Sequence, residues 1–192
     1  MDKTTIRSAT PDDAVTLLEI YGWYVRHSAV TFEYDVPSES EFRRRIGATL
    51  EKYPYFVVED DGVVLGYAYA GAFRSRPAYG WSAELSIYLA PAARRKGLGR
   101  KLYRAMEDAL GRMGILNLYA CITWPETEDE YLDKSSPAFH ESMGYTTVGV
   151  FRRCGYKFGR WYSMIWMEKI IGGHDCPPMD VTPYPQLPDK PI

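Results

Sequence analysis

Residues 81–100 read WSAELSIYLAPAARRKGLGR, and they join a strand pattern directly to the start of a helix. From Trp81 to Leu89 the side chains alternate, so Glu84 lies on the polar face of one predicted strand. A turn at Ala90-Pro91 follows, and then a basic loop, Arg94 to Gly99, that contains two glycines. Apolar residues recur at helical spacing after the loop, which predicts a helix there.

The predicted helix is followed by a second strand. The helix ends near Gly111 to Gly114, and Asn117 to Ile122 is a nearly continuous apolar run. Such a run is typical of a central strand that is buried on both faces. Strand, helix and strand in this order form a βαβ unit, whose two strands are parallel.

Other segments predict further elements around this unit. They are strands at 4–8, 55–59 and 63–70, helices after the N-caps Thr10 and Ser38, a short helix from Ser136, and closing strands at 146–151 and 161–167. Residues 172–192 are rich in proline and have no periodicity, which predicts an extended, partly ordered tail.

The composition excludes several classes of function. A net charge of −2 gives no overall basic field, so nucleic acid is not expected as a partner. The apolar stretch 63–73 is too short to cross a bilayer, and the first residues lack a signal-peptide core, so no membrane partner is expected. Three cysteines without a disulfide pattern favour a cytoplasmic protein. The histidines show no metal-ligand spacing with them.

The loop Arg94 to Gly99 is a candidate phosphate site. Backbone N–H groups and the helix dipole favour an anion at the start of a helix, and the two glycines let a pyrophosphate approach the backbone. For a Gly-x-Gly pair alone, a solvated basic helix start is the better interpretation. The Rossmann fingerprint fails because Leu102 stands where its last glycine belongs, and the Walker A motif fails because no Gly-Lys-Ser/Thr occurs.

At these residues the chain resembles a known family. Arg94 to Gly99 resembles the Q/R-x-x-G-x-G/A motif of GNAT acetyltransferases, and Phe139 to Tyr145 resembles their second signature, an aromatic-rich helix that ends in Gly-Phe or Gly-Tyr. A closer resemblance is to the phosphinothricin and methionine sulfoximine/sulfone acetyltransferase branch. It is carried by Tyr53-Pro54, 68–71, Arg74 with Arg76, Ala78-Tyr79, Ala83-Glu84 and 155–157.

The resemblance, which covers nearly the whole chain, implies an α/β fold and a co-substrate. The fold is a mixed, mostly antiparallel sheet with one central splayed parallel strand pair, flanked by helices, over residues 1–171. The co-substrate is acetyl-CoA, with no metal, and its pantetheine arm would lie beside the strand 81–89. The implied cofactor-binding residues are Ile87, Tyr88, Leu89, Arg94, Arg95, Lys96, Gly97, Leu98, Gly99, Arg100 and Ser136.

Two residues are candidates for proton transfer. An amine that attacks a thioester must lose a proton, and the thiolate that leaves must gain one. The resemblance implies that Glu84 is the general base and that His140 is an acid toward sulfur or a second base. Taken by themselves, the residues also fit a solvent-facing strand glutamate and a packed helix histidine.

The resemblance also implies a site for a small-molecule amine acceptor. Arg74 and Arg76 would hold a carboxylate or a phosphinate, and Phe32 and Tyr79 would line the pocket. Solvated arginines and sheet-core aromatics are the alternatives. The segment between Pro125 and Ser136 is longer and more acidic than in that branch, so it is either an acidic rim that favours a cationic acceptor or a solvated loop.

Assembly and turnover stay open at this point. The closing strand that carries Trp161, Met164 and Trp166 is more apolar than a free edge, which predicts a homodimer. A GNAT-fold module that binds acyl-CoA without turnover, and a protein or peptide acetyltransferase, are the alternatives to a small-molecule N-acetyltransferase.

Overall fold

The computed structural model describes residues 3–188. Its strands form one seven-stranded sheet in the order β1-β2-β3-β4-β5-β7-β6. The strands are β1 (Thr4–Ser8), β2 (Tyr55–Asp60), β3 (Val63–Ala72), β4 (Ser82–Leu89), β5 (Asn117–Trp124), β6 (Thr146–Lys157) and β7 (Arg160–Ile170). The helices are α1 (Ala14–His27), α2 (Glu39–Leu50), α3 (Leu98–Met113) and α4 (Ser135–Ser142).

The predicted N-cap Ser38 is confirmed for α2, whereas Thr10 caps the 3-10 turn Pro11–Asp13 and α1 itself begins after Asp13. At the 3-10 turn before α1, the Asp13 carboxylate accepts the Thr10 amide at 2.7 Å. At α2, the Ser38 hydroxyl accepts the Glu41 amide at 3.2 Å. These side chains satisfy amide groups that the first helical turn leaves without a backbone partner.

The parallel strand pair is confirmed, and it is short. β4 pairs with β5 only where Ser82–Glu84 face Asn117–Tyr119. β5 then continues in an antiparallel pair with β7 along its whole length. The two parallel strands therefore separate beyond Glu84, which confirms the splayed pair that the resemblance implies.

The two faces of the sheet are covered unequally. α3 lies on one face, where Leu102, Met106 and Leu110 are fully buried against small sheet residues. α1 and α2 cover the other face over β2 and β3. The prediction that β5 is buried on both faces is wrong, because Tyr119 and Cys121 face the side that α1 and α2 leave partly open.

The described part of the tail is extended and packs back onto the domain. Thr182 donates its amide to Met113 at 2.8 Å, and Tyr184 donates its amide to Lys52 at 2.9 Å. The Tyr184 ring is buried edge-on against Phe56. This segment therefore contributes to the core, while the boundary between the domain 1–171 and the tail 172–192 stays a prediction. Among residues 3–188, no helix combines the length and the apolar character needed to cross a membrane.

Candidate active site

A cleft opens where β4 and β5 separate. Its walls include Ile87 on β4, Cys121 and Thr123 on β5, and Ser136 and His140 on α4. The cleft exists because two strands that begin as neighbours have no backbone pairing at their carboxyl ends. A ligand that lies there can use backbone N–H and C=O groups that the sheet leaves free.

The backbone of β4 alternates between the cleft and β3. Ala90 donates its amide to Leu65 at 2.8 Å, so even-numbered residues of this segment direct their backbone groups toward β3. Odd-numbered residues point the other way. The Leu89 amide donates to the Tyr24 hydroxyl at 3.3 Å, and that hydroxyl donates to the Leu89 carbonyl at 2.7 Å. Ile87 therefore directs its backbone groups into the open part of the cleft.

Tyr88 contributes to this region through its side chain. Its backbone groups turn toward β3, and its ring contacts Tyr21 and Tyr24 on α1 edge-to-face, at centroid distances of 5.1 and 5.2 Å. Three residues are predicted to pair with a pantetheine arm. Ile87 offers its backbone groups to the cleft, the Tyr88 side chain supports the cleft wall, and the Leu89 backbone is bonded to Tyr24 of α1.

The glycine loop has the backbone geometry that an anion site needs. Gly97 is the N-cap of α3 and has φ of 78°, a left-handed conformation that favours glycine. A Cβ at Gly97 would have no other atom within 4 Å, whereas a Cβ at Gly99 would lie 3.3 Å from the Phe139 ring. Gly99 is therefore needed for the packing of α3 against α4, while Gly97 keeps the helix start open.

The basic residues of the loop divide into two groups. The Arg94 guanidinium lies 4.9 Å from the ring centroids of both Trp23 and Tyr24 on α1. Arg100 donates to the carbonyl and the hydroxyl of Ser142 on α4. Both arginines thereby fix the loop to neighbouring helices. Arg95 and Lys96 are exposed, which leaves their charge available to a phosphate group.

Glu84 occupies the point where the parallel strands part. It is the last β4 residue that faces β5, and its neighbour there is Tyr119. Burial raises the pKa of its carboxyl, and the positive charge of Arg74 partly opposes that shift. None of the described residues forms a hydrogen bond or an ion pair with this carboxylate. A half-buried carboxylate without a partner is a stronger base than a solvated one.

Three of the predicted acceptor residues lie on the loop after β3. The Arg74 guanidinium stacks 4.4 Å from the Phe73 ring centroid and 5.1 Å from that of Trp166, and it donates to the Phe73 carbonyl. Tyr79 contacts Phe73 edge-to-face. Arg76 is exposed just before the 3-10 turn Pro77–Tyr79. Aromatic rings therefore hold Arg74 close enough for its charge to act on Glu84.

Phe32 lies in the linker between α1 and α2. Its ring fills the space beside Gly155, where a Cβ would lie only 2.2 Å from the ring. Val30, two residues earlier in the same linker, is a wall residue of the cleft. The structure thus places Val30, which the sequence analysis missed, nearer the cleft than Phe32.

His140 is enclosed, with both ring nitrogens occupied. Nδ1 is 2.8 Å from the Ser136 carbonyl, so Nδ1 carries the proton and donates it. Nε2 is 2.7 Å from the Tyr103 hydroxyl, which therefore donates to it. The side chain is only 3% exposed, and burial lowers the pKa of His140 to about 4. At neutral pH the ring is uncharged and has no proton at Nε2 to give to sulfur.

Tyr103 is a functional-site residue that the sequence reasoning missed. It lies on α3 and is fully buried, and it borders the cleft beside His140. Because it follows Leu102 in the apolar stripe of α3, the sequence pattern indicates a core residue. The only sequence signal was a hydroxyl in an otherwise apolar stripe, since a buried tyrosine hydroxyl usually has a hydrogen-bond partner.

The acidic segment is a structured loop. Asp129 accepts the amides of Tyr131 and Leu132 and the hydroxyl of Tyr162, at 2.8 to 2.9 Å. Arg160 forms ion pairs with Asp129 and Glu130 at 2.9 and 2.8 Å. Asp129 and Glu130 are therefore paired within the chain, while most residues of the segment are exposed to solvent, and the role of this segment stays a prediction.

Cys121 lines the cleft but is a poor nucleophile. Burial and the nearby Glu84 carboxylate raise the pKa of its thiol to about 12, so it is protonated at neutral pH. This thiol is therefore not an activated nucleophile. Within residues 3–188, no three His, Cys, Asp or Glu side chains gather as metal ligands would.

Comparison with known proteins agrees with this geometry. Residues 6–166 match the model of the family described as Acetyltransferase (GNAT) domain. The chain is 31% identical over 182 residues to phosphinothricin N-acetyltransferase of Streptomyces viridochromogenes, with 95% of each chain covered. It is 33% identical over 174 residues to L-methionine sulfoximine/L-methionine sulfone acetyltransferase of Salmonella typhimurium, covering 90% of this chain and 98% of that protein.

A solved structure shows the same fold with a ligand. The GNAT superfamily phosphinothricin acetyltransferase of Sinorhizobium meliloti, in complex with acetyl-CoA, superimposes with a TM-score of 0.85. The two chains are 35% identical, and the match covers 95% of this chain and 98% of that one.

Proposed function

Because the chain belongs to the GNAT acetyltransferase family, we propose that it transfers an acetyl group from acetyl-CoA to the primary amine of a small molecule. The acceptor class is that of amino acid analogues such as phosphinothricin and methionine sulfoximine or sulfone, which give two relatives their names. One observation carries the proposal: the unpaired, half-buried Glu84 carboxylate stands at the point where β4 and β5 part.

Two parts of acetyl-CoA would bind at different places along the cleft. The pyrophosphate would lie at the start of α3, held by the amides around Gly97 to Gly99 and by Arg95 and Lys96. The pantetheine arm would follow β4 and pair with the backbone of Ile87, while Ser136 borders the same cleft on α4. This arrangement needs no metal, since amide groups and basic side chains supply the positive charge.

The reaction then needs one base and one oxyanion donor. Glu84 takes a proton from the neutral acceptor amine as the nitrogen forms a bond to the acetyl carbon, and this proton then passes from Glu84 to solvent. A cleft-facing backbone N–H such as that of Ile87 stabilises the oxygen that becomes negative in the tetrahedral intermediate. The C–S bond breaks, and the thiolate of coenzyme A takes a proton from water. His140 serves as a neutral wall residue in this scheme.

The acceptor would bind beside Arg74. Its guanidinium is held over two rings, so it offers a fixed positive charge to a carboxylate or a phosphinate on the acceptor. Arg76 and Tyr79 lie on the same loop and extend this surface. The fixed positive charge of Arg74 favours an anionic acceptor of this kind over a polyamine.

A thiol-release assay tests the proposal. Acetyl-CoA is mixed with the protein and, in separate arms, phosphinothricin, methionine sulfone, polyamines and a peptide with a free N-terminus. Release of thiol with the amino acid analogues, and its loss in Glu84→Gln, supports the proposed function. Binding of acetyl-CoA without release in any arm would identify a non-catalytic module, and release with the peptide alone would identify a protein acetyltransferase.

We also propose a homodimer that works in the cytoplasm. β6 is an edge strand, and the surface of the β6–β7 pair exposes Val150, Phe151 and Trp161, the last at 62%. Such a surface favours association with a second copy. The three free cysteines support a reducing compartment. Light scattering at micromolar concentration checks the assembly, since a monomeric mass contradicts it.

A further inference from the structure

Two loops without regular secondary structure border the cleft. The first is the α1–α2 linker, residues 28–38, and the second is the β5–α4 loop, residues 125–134. Each places one apolar side chain in the cleft wall, Val30 from the linker and Leu132 from the loop. The position of these two segments therefore sets the width of the cleft.

A buried lysine at the end of β6 holds the linker. The Lys157 side chain is nearly inaccessible, since the residue is 2% exposed. Its Nζ donates to the Ser28 carbonyl at 2.9 Å and to the Thr31 carbonyl at 2.7 Å. Within the described part of the chain, no carboxylate forms an ion pair with it. Burial lowers the pKa of Lys157 to about 8, against the influence of Glu33.

The surroundings of Lys157 fasten the same linker at further points. The Tyr34 hydroxyl donates to the Tyr156 carbonyl at 2.6 Å. The Phe32 ring occupies the space beside Gly155. Three consecutive residues of β6 therefore contact the linker. Gly155 leaves room for the Phe32 ring, Tyr156 accepts a hydrogen bond through its carbonyl, and Lys157 donates through its buried ammonium group.

The start of β7 holds the second loop in the same way. Arg160 forms ion pairs with Asp129 and Glu130, and Tyr162 donates to Asp129. The two loops also touch, because Ala29 donates its amide to Tyr131 at 3.0 Å. The β6–β7 turn thus lies behind both segments that border the cleft.

We propose that Lys157 is a positioning residue for the acceptor: its ammonium group fixes the linker 28–34 and thereby the place of Val30 in the cleft wall. This inference rests on the proposed function. A buried cation without a counter-ion costs stability, and an apolar side chain of the same length would fill the space at a lower cost. The gain from Lys157 is instead the fixed position of two carbonyl groups that would otherwise lack a donor.

The substitution Lys157→Met tests the proposal, because it keeps an unbranched side chain one atom shorter and removes the donors. The acceptor KM is expected to rise about tenfold, in proportion to one lost charged hydrogen-bond pair, while the Kd of acetyl-CoA changes less than about twofold. Lys169→Met is the matched control. Lys169 is also partly buried on this hairpin, but it pairs with Glu107 on α3 and has no contact with the linker.

Two further measurements keep the proposal open to contradiction. Lys157→Gln retains N–H donors without the charge, and it is expected to recover part of the lost acceptor affinity. Hydrogen exchange of the amides 28–34 is expected to accelerate in Lys157→Met and to stay unchanged in Lys169→Met. This readout requires no turnover, so it tests the anchor even where the proposed function fails.

The possible results either support or overturn the proposed role of Lys157. A selective rise of the acceptor KM with faster exchange in 28–34 supports the proposal. An acceptor KM within about twofold of the unmodified protein, or equal losses in Lys157→Met and Lys169→Met, overturns it. If Lys157→Met does not fold, Lys157→Gln decides, and unchanged exchange of its linker contradicts the proposed role.

Discussion

The proposed cofactor end and the proposed acceptor end of the cleft are built differently. The cofactor end comes from one continuous stretch, residues 81–100, in which strand, loop and helix follow one another. The acceptor end is assembled from the α1–α2 linker, the loop after β3, the acidic loop and the β6–β7 turn. Backbone geometry therefore dominates the first region, and contacts between distant side chains dominate the second.

This difference teaches where substitutions act. In the cofactor end, a change at one backbone position is expected to block the ligand, with local strain where the residue has a positive φ. In the acceptor end, side chains such as Arg74 and Lys157 act through their partners, so substitutions there produce graded effects. The following expectations run from the largest effect to the smallest.

Gly97→Asp is expected to abolish acetyl-CoA binding, with a loss of about 100-fold or more in affinity. The carboxylate would stand where the pyrophosphate binds, while a Cβ at Gly97 would have no other atom within 4 Å. Gly62→Asp is the control, because Gly62 has φ of 80° and an equally open site at a distant hairpin. Calorimetry of both folded variants checks the result, and unchanged affinity in Gly97→Asp contradicts the loop assignment.

Glu84→Gln is expected to lower kcat about 100-fold or more, since it removes the base and keeps the shape. The active form is the carboxylate, so the rate falls as pH decreases through the raised pKa of Glu84. This acidic limb should flatten in the variant, and acetyl-CoA affinity should hold. Steady-state rates across pH measure both effects. If the variant keeps near-full turnover and an unchanged dependence of rate on pH, Glu84 is not the base.

Arg74→Met is expected to raise the acceptor KM about tenfold for an anionic acceptor. The same change should shift the acidic limb of the rate profile to higher pH, because the Arg74 charge holds the pKa of Glu84 down. Arg76→Met provides the comparison, since that exposed side chain should leave the limb in place. Equal pH profiles for the two variants would show that Arg74 does not act on the base, and an unchanged acceptor KM in Arg74→Met would show that it does not bind the acceptor.

His140→Gln is expected to change kcat less than tenfold and to preserve the acidic limb, because the neutral imidazole transfers no proton. Its main effect concerns stability. The folded-state pKa of about 4 lies below the ordinary 6.5, so the native chain loses stability as pH falls through that window. The loss is on the order of 3 kcal/mol, and the variant should lack it. Denaturant unfolding at several pH values checks this. If the free energy of unfolding depends on pH equally in both proteins, the burial of His140 beside Tyr103 is contradicted.

The sequence by itself determined the parts whose physics is local. Alternation from Trp81 to Leu89, the glycines of the loop and the helical spacing after it predict the βαβ unit, and the patterns at 55–59 and 63–70 predict the strands β2 and β3. These features depend on backbone conformation and on neighbours a few residues apart. The position of Glu84 on the polar face of β4 follows from the same alternation.

The tertiary structure alone decided which polar groups meet. Nothing in the local pattern indicates that Tyr103 would donate to His140, or that Lys157 would bind carbonyls more than a hundred residues away. The environment of a side chain depends on which distant segments surround it, and burial then sets its pKa and its chemistry. His140 is therefore a neutral wall residue and Glu84 an available base, although both are polar residues at the same cleft.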